Sequence, residues 1–348
     1  MQAGRCGFVI WGGVICLVSS ALALAGAAED RPVSGVYFAE QVESSPQFQA
    51  AGMAWWNGRL IIANREPPAL HAFTPPGTFE VFKDLTRPVG VAVDANDRLV
   101  FTEKEGKVLY RLARCAADGA VETLLEEVGV DNERPGPAGL GTPHFLAVHP
   151  NGTTYWSGFP NGGTRYLLPG AKEVAVAAPR IVHTFGIALS PGHDWLYVSS
   201  KIPNADRRCI WRFPVEQDGR LGEGTQFITI DQFTTTHLEG LPPAKDGSDK
   251  LSGWVGRLQG LAVDRLGSIY VGGAEAHHSG SAVAVFSPDG KKLAAMIVGK
   301  PDSEQGIPTN ISGLAFGGAD GRTLFIAGAG KYRLYRARLP VAGAGFRD

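Results

Sequence analysis

Gly186-Ile187-Ala188-Leu189-Ser190-Pro191-Gly192-His193-Asp194-Trp195-Leu196-Tyr197-Val198 reads as a small-residue phrase, a polar turn and an aliphatic–aromatic run. The opening phrase recurs along the chain. It stands as Gly52-Met53-Ala54-Trp55, Gly90-Val91-Ala92-Val93, Phe145-Leu146-Ala147-Val148, Gly260-Leu261-Ala262-Val263 and Gly313-Leu314-Ala315-Phe316, with Phe in place of Gly only at position 145. Each copy is followed by a turn rich in Asn, Asp and Gly, such as Asn57-Gly58, Pro150-Asn151-Gly152 or Ala319-Asp320-Gly321. These residues tolerate the positive φ that tight hairpins demand. A second run follows each turn: Leu60-Ile61-Ile62, Leu99-Val100-Phe101, Thr154-Tyr155-Trp156, Leu196-Tyr197-Val198, Ile269-Tyr270-Val271 and Leu324-Phe325-Ile326. Aliphatic, β-branched and aromatic residues dominate, as strands require.

A unit repeated at spacings of about forty to over seventy residues is the mark of propeller blades with loop insertions. The sequence therefore predicts an all-β fold, a six-bladed β-propeller with four-stranded blades. Gly and Ala in the innermost strand let six strands crowd around a central channel. Third strands are legible in Val108–Leu112, Ile210–Phe213, Ala282–Phe286 and Tyr332–Arg336. The last blade lacks an outer strand, and Gly35–Val42 is expected to supply it and close the ring. Val121 to Val128 could form a helical turn by pattern and is read as strand plus loop. A β-sandwich would not repeat one phrase six times.

The chain has 348 residues, is 44% hydrophobic and 19% charged, and suits one large core. With 33 basic and 34 acidic residues its net charge is -1, so nothing favours phosphate binding and no nucleic-acid partner is expected. Residues 1–28 carry Arg5, an apolar run from Phe8 to Ala25 and the small residues Ala25-Gly26-Ala27-Ala28. That pattern predicts a signal peptide cleaved near Ala27 or Ala28, with an uncleaved anchor as the rival reading. Residues 29–348 form the single predicted domain. The expected location is periplasmic or secreted, with no stable membrane span once the leader is removed. Cys115 and Cys209 fall in different blades and are expected to be unpaired, since a disulfide needs Cα atoms within roughly 7 Å.

A propeller sorts residues by face. The residue just before each repeated phrase, and the loop after each second strand, collect on one side. The first group is Ala51, Val89, His144, Phe185, Gln259 and, in the last repeat, Asn310 or Ser312. The loops include Asn64-Arg65-Glu66, Glu103-Lys104-Glu105, Phe159-Pro160-Asn161 and Glu275-Ala276-His277-His278. Loops on a rigid scaffold commonly carry function.

Thr142-Pro143-His144-Phe145-Leu146-Ala147-Val148-His149-Pro150-Asn151-Gly152 resembles the regucalcin, gluconolactonase and luciferin-regenerating-enzyme family. So do Phe185–Pro191, Leu258–Asp264 and Ala315–Leu324, which together span nearly the whole predicted domain. The resemblance implies a six-bladed propeller and a lactone hydrolase with one divalent metal in the channel. It also implies a Glu, an Asn and an Asp as ligands before the first, fourth and fifth inner strands. Those positions here read Ala51, Phe185 and Gln259, and a substrate-contacting Asn reads His144. Oxygen ligands suit Ca²⁺ or Mg²⁺. Ala and Phe supply none, so the resemblance stops short of predicting the family's metal here. Glu103 matches a family Glu at the end of a second strand, where it would orient a ligand hydroxyl, or stand as a solvated loop carboxylate.

The candidate ligand-binding residues are thus Glu103, His144, Phe185, Gln259, His277 and Trp254. His144, His183 and His277 are weak candidates for a transition-metal site. Trp254 lies in the insertion 233–258, read either as a lid over the channel face or as an ordered decoration. No Gly-x-Ser-x-Gly, His-Glu-x-x-His or Cys-x-x-Cys motif is present. Two functions remain: a lactonase-type hydrolase acting on a lactone or related small cyclic ester, with a sugar-derived small molecule as the expected ligand, and a non-catalytic periplasmic propeller that binds a small molecule or a partner protein.

Overall fold

The computed structural model describes residues 29–42, 45–105, 109–130, 142–159, 162–178, 181, 183–201, 208–242, 249–274, 282–299, 310–328 and 333–346. The proposed leader and His277 lie outside the described residues.

The described chain is all-β. It opens with β1 (Gly35–Gln41) and then forms four four-stranded antiparallel sheets. The first contains β2 (Ala50–Trp56), β3 (Arg59–Arg65), β4 (Pro68–Thr74) and β5 (Thr78–Asp84). The second contains β6 (Pro88–Val93), β7 (Leu99–Glu105), β8 (Leu109–Cys115) and β9 (Val121–Val130). The third contains β10 (Thr142–Val148), β11 (Thr154–Phe159), β12 (Gly163–Leu167) and β13 (Ala175–Val176). The fourth contains β14 (Thr184–Leu189), β15 (Trp195–Lys201), β16 (Arg208–Pro214) and β17 (Thr225–Thr229). A one-turn helix, α1 (Leu251–Trp254), precedes β18 (Arg257–Val263), β19 (Ile269–Ala274), β20 (Val283–Phe286) and β21 (Leu293–Gly299). The chain ends with β22 (Ile311–Gly317), β23 (Thr323–Gly328) and β24 (Tyr335–Arg338).

β1 joins the last two groups into one eight-stranded sheet. Gly35 to Ala39 pair in parallel with Ala295 to Gly299 of β21, and Glu40 and Gln41 pair antiparallel with Arg336 and Tyr335 of β24. One short strand thus ties two neighbouring sheets. Val121–Val130 is strand throughout, because it pairs with β8 from Cys115 opposite Val121 to Leu109 opposite Val130.

Each repeated phrase is a first strand, and the six first strands neighbour one another in a cycle: β2, β6, β10, β14, β18, β22 and back to β2. The small residues of the phrase make that approach possible. A Cβ on Gly186 would lie 2.1 Å from the Gln259 carbonyl oxygen, and one on Gly52 would lie 2.9 Å from that of Val89. Hydroxyls stitch the cycle: Ser312 Oγ donates to Ala50 O (2.6 Å), Thr102 Oγ1 to Pro143 O (3.2 Å) and Ser199 Oγ to Gln259 O (3.3 Å). Between the sheets, apolar faces interlock in clusters such as Ile62, Phe73 and Phe325, or Ile187, Val198 and Phe213.

Cys115 and Cys209 are both buried and unpaired. They sit at the end of β8 and near the start of β16, in separate sheets. No helix among the described residues is long and apolar enough to cross a membrane.

Candidate site at the upper mouth of the channel

The first strand of every sheet carries a register irregularity against the second, and at the same place. It falls between Ala50 and Gly52, Pro88 and Val91, Pro143 and Leu146, Thr184 and Ile187, Leu258 and Leu261, and Ile311 and Gly313. A bulge bends its strand, frees a residue from the ladder and re-aims the side chain. The residues so released are Ala51, Val89, His144, Phe185, Gln259 and Ser312, with their chain neighbours. In three sheets a hydroxyl on the second strand answers the backbone groups the bulge leaves without ladder partners. Gly90 N donates to Thr102 Oγ1 (3.0 Å), Phe145 N to Ser157 Oγ (3.2 Å), and Ser199 Oγ lies 3.5 Å from Gly186 O. The antiparallel pairing puts the ends of the second strands, including Arg65, Glu103 and Phe159, on the same side. We call this side the upper face.

His144 is the centre of the cluster there. Its ring lies 5.7 Å from Phe159 and 6.2 Å from both Phe145 and Phe185. Phe159 in turn packs on Phe185 at 4.8 Å and on His183 at 5.5 Å. The structure therefore brings together three of the sequence candidates, His144, His183 and Phe185, through Phe159. Arg65 Nη2 lies 3.4 Å from His144 Nδ1. A guanidinium can only donate, so Nδ1 is the acceptor and the ring proton sits on Nε2. Burial holds the imidazole well below the ordinary histidine range, and the charges of Arg65 and Arg87 add to that shift. His144 is thus a neutral ring with a donor at Nε2.

Glu103 is 5% exposed and is not a solvated loop carboxylate. Oε1 accepts from Nε (2.9 Å) and Nη2 of Arg111, its cross-strand partner on β8. Oε2 accepts from Thr86 N (3.2 Å), and Lys104 N donates to Thr86 O (2.9 Å). Glu103 therefore clamps the turn that carries Arg87. Gln259 is 8% exposed, and its backbone oxygen is held by Ser199.

Trp254 is buried in the apolar cluster that contains Tyr197, Ile228, Leu238 and Leu258. The rest of the described insertion follows it outward. Phe233 packs edge-on against Phe286 at 5.0 Å, and His237 Nε2 lies 2.8 Å from Leu293 O. Both contacts are to β20 and β21, so the described part of the insertion packs against that sheet. The physical reason is its apolar residues, which gain more from the gap between sheets than from an open channel. Residues 243–248 lie outside the described residues.

Below the mouth the channel is plugged. Met53, Leu146, Ile187, Leu261 and Leu314 surround a void of about 40 Å³. A larger cavity, about 570 Å³, opens on the opposite face among the hairpin turns, between Trp55, Asp97, His193 and the C-terminal Gly343–Phe346. It holds none of the bulged residues, so the mouth rather than the larger cavity is the candidate site. Among the described residues no three His, Cys, Asp or Glu side chains gather as a metal site would require.

Arg87 was not singled out by sequence, and Arg65 and Phe159 were named only within the loops after the second strands. Arg65 and Phe159 had one signal, their position at the ends of second strands. Arg87 had only its place before Pro88.

These features define an all-β protein of stacked four-stranded sheets, consistent with a propeller, with a bulge-built site at one end of its channel. Residues 50–330 match the family described as the SMP-30/gluconolactonase/LRE-like region, and the chain belongs to that family. It is 28% identical over 189 residues to a 6-deoxy-6-sulfogluconolactonase from Pseudomonas putida, a match covering 53% of this chain and 52% of that protein. The chain thus aligns with about half the length of that curated relative. Among solved structures, a gluconolactonase from Xanthomonas campestris superposes with a TM-score of 0.60 at 21% identity, covering 90% of this chain and 96% of the other. A calcium-binding regucalcin from Agrobacterium tumefaciens gives a TM-score of 0.61 at 16% identity, covering 90% and 97%. At such identities the structural likeness shows the fold.

Proposed function

We propose that this chain is an exported six-bladed propeller, closed by β1, that hydrolyses a sugar-derived lactone at the upper mouth. The single observation that carries the reading is the overlap of the family span with all six bulged first strands. The cycle of first strands and the two-sided pairing of β1 support the blade count and the closure.

Lactone hydrolysis adds water across the ring ester and leaves a hydroxy acid. Charge develops on the carbonyl oxygen as water attacks, and a fixed donor near that oxygen lowers the barrier. The Nε2 proton of His144 is the donor the mouth offers. Phe159 and Phe185 supply an apolar wall for the sugar ring.

The metal implied by the family does not fit the described mouth. Ala51 and Phe185 carry no side-chain oxygen, Glu103 is held by Arg111 and Thr86, and Arg65 brings a positive charge to His144. No step is therefore routed through a metal. The same facts favour the second reading, a propeller that binds a small molecule or partner without turning it over.

The test is a pH-stat assay on five- and six-membered aldonolactones, with and without EDTA. Ring opening well above the spontaneous rate is expected. Rates equal to the protein-free blank across neutral and acidic lactones, with saturable binding retained, would establish the binding-only reading instead. Export predicts a periplasmic or secreted protein whose N-terminus begins near Glu29. Recovery of intact residues 1–28 on the protein from its source would refute cleavage.

A further inference from the structure

The cavity of about 570 Å³ on the face opposite His144 falls in the size range of small-molecule sites. Its floor is made by the ends of the repeated phrases. Ala54, Trp55, Val93, Val148 and Phe316 line it, and each is only partly buried. Apolar side chains left against water at the centre of the molecule are a cost that folding has not removed, and a ligand that covers them recovers it. The polar side chains of the lining are Asn57, Asp94, Asp97 and His193, and all four stand on or beside the hairpin turns. An apolar floor with a polar rim is the usual make-up of a small-molecule site. Two aromatic rings are fixed as its walls. Trp55 lies flat on Phe325, with centroids 5.8 Å and planes 7° apart, and a Cβ on Gly317 would come within 2.3 Å of the indole. Phe346 is carried in by the C-terminal strap: Gly343 N donates to Gly321 O (3.1 Å), Ala344 N to Val263 O (3.0 Å) and Arg265 Nη2 to Phe346 O (2.9 Å). A Cβ on Gly321 would lie 2.2 Å from Phe346 Cγ, so two glycines make room for the two rings. The charge at the rim does not favour an ion. Among the described residues the lining holds no Lys or Arg to receive an anion. The Asp94 carboxylate is occupied by its own turn, with Oδ1 accepting from Asn96 N (2.8 Å) and Arg98 N (3.0 Å) and Oδ2 from Arg98 Nε (2.8 Å).

We propose that this lower cavity is a second binding site, which takes an uncharged aromatic ring bearing a polar substituent. The ring packs among Trp55, Phe316 and Phe346, where aromatic faces and edges attract one another, and the substituent stays at the rim of turns. The site lies on the face opposite the upper mouth and does not depend on lactone hydrolysis there.

The experiment uses 2-naphthol as the neutral probe and naphthalene-2-sulfonate as its anionic counterpart, each titrated calorimetrically into the whole protein near neutral pH. Saturable one-to-one binding of the naphthol is expected, with the sulfonate at least tenfold weaker. Phe346→Ser removes one wall and Val148→Glu places a charge in the floor, and each should weaken naphthol binding at least tenfold. Phe38→Ser should leave it unchanged, since that ring is 41% exposed on β1 and is not part of the cavity lining. Absence of saturable binding would overturn the site, as would binding unchanged in Phe346→Ser protein that melts like the parent. Sulfonate binding as tight as that of the naphthol would overturn the neutral-ring chemistry, and loss of binding in Phe38→Ser would move the probe to the outer surface and sink the proposal.

Discussion

Replacing Gly186 by Ala tests the packing on which the mouth depends. The added Cβ would lie 2.1 Å from Gln259 O, 2.7 Å from Leu261 Cβ and 2.8 Å from Leu261 N. Two of those three atoms are backbone, so no rotamer change can relieve the clash. β14 and β18 must part by roughly 1 Å to restore ordinary contact distances. Overpacking of this kind costs about 1–3 kcal/mol. The separation also breaks the Ser199 Oγ bond to Gln259 O, worth about 1 kcal/mol more. A loss near 3 kcal/mol, at about 2–4 °C for each kcal/mol, lowers Tm by about 6–12 °C. Calorimetry or circular-dichroism melting measures it directly. Gly345→Ala is the control, since a Cβ there meets nothing within 4 Å. A Gly186→Ala protein that melts within 1 °C (about the reproducibility of such scans) of Gly345→Ala would refute the close approach of these strands.

Other outcomes follow from the same contacts. Glu103→Gln should cost about 2 kcal/mol in urea denaturation, less than a fully buried pair because Arg111 remains partly exposed. A double-mutant cycle with Arg111→Met should then show coupling, and simple additivity would contradict the clamp. His144 is depressed in the folded state, so the unfolded chain takes up its proton first as pH falls. Stability should be undiminished above about pH 6.5 and should decline below it. His144→Gln should flatten part of that decline, the remainder reflecting His71, which burial also lowers; an unaltered slope would show that His144 is not buried neutral. Burial raises both thiols, Cys209 to about 11. Peptide mapping after iodoacetamide should therefore find Cys115 and Cys209 unlabelled in the native protein and labelled in urea, and native labelling would contradict their burial.

The repeated phrase was legible because every part of it is local. A Gly-x-Ala strand, an Asn/Asp/Gly turn and an aliphatic–aromatic run interact with their immediate neighbours, so sequence order preserves them. Gly35–Val42 was recognised as a strand by the same logic, yet its pairing with β21 as well as β24 depends on where two sheets meet. The residues of the upper face were also legible as positions, since each precedes a phrase. Their chemistry was not. Glu103 looked like a loop carboxylate because nothing nearby in sequence shows that Arg111 is its cross-strand partner.

By itself, then, the sequence determined the all-β character, the six first strands and which residues gather on one face. Short-range hydrogen bonding and alternation set those features. Only the tertiary structure decided that each first strand bulges at the same register, that Trp254 is core, and that Arg65 reaches His144 across 79 residues. Arg65 and His144 stand on different sheets, and no local pattern records their meeting.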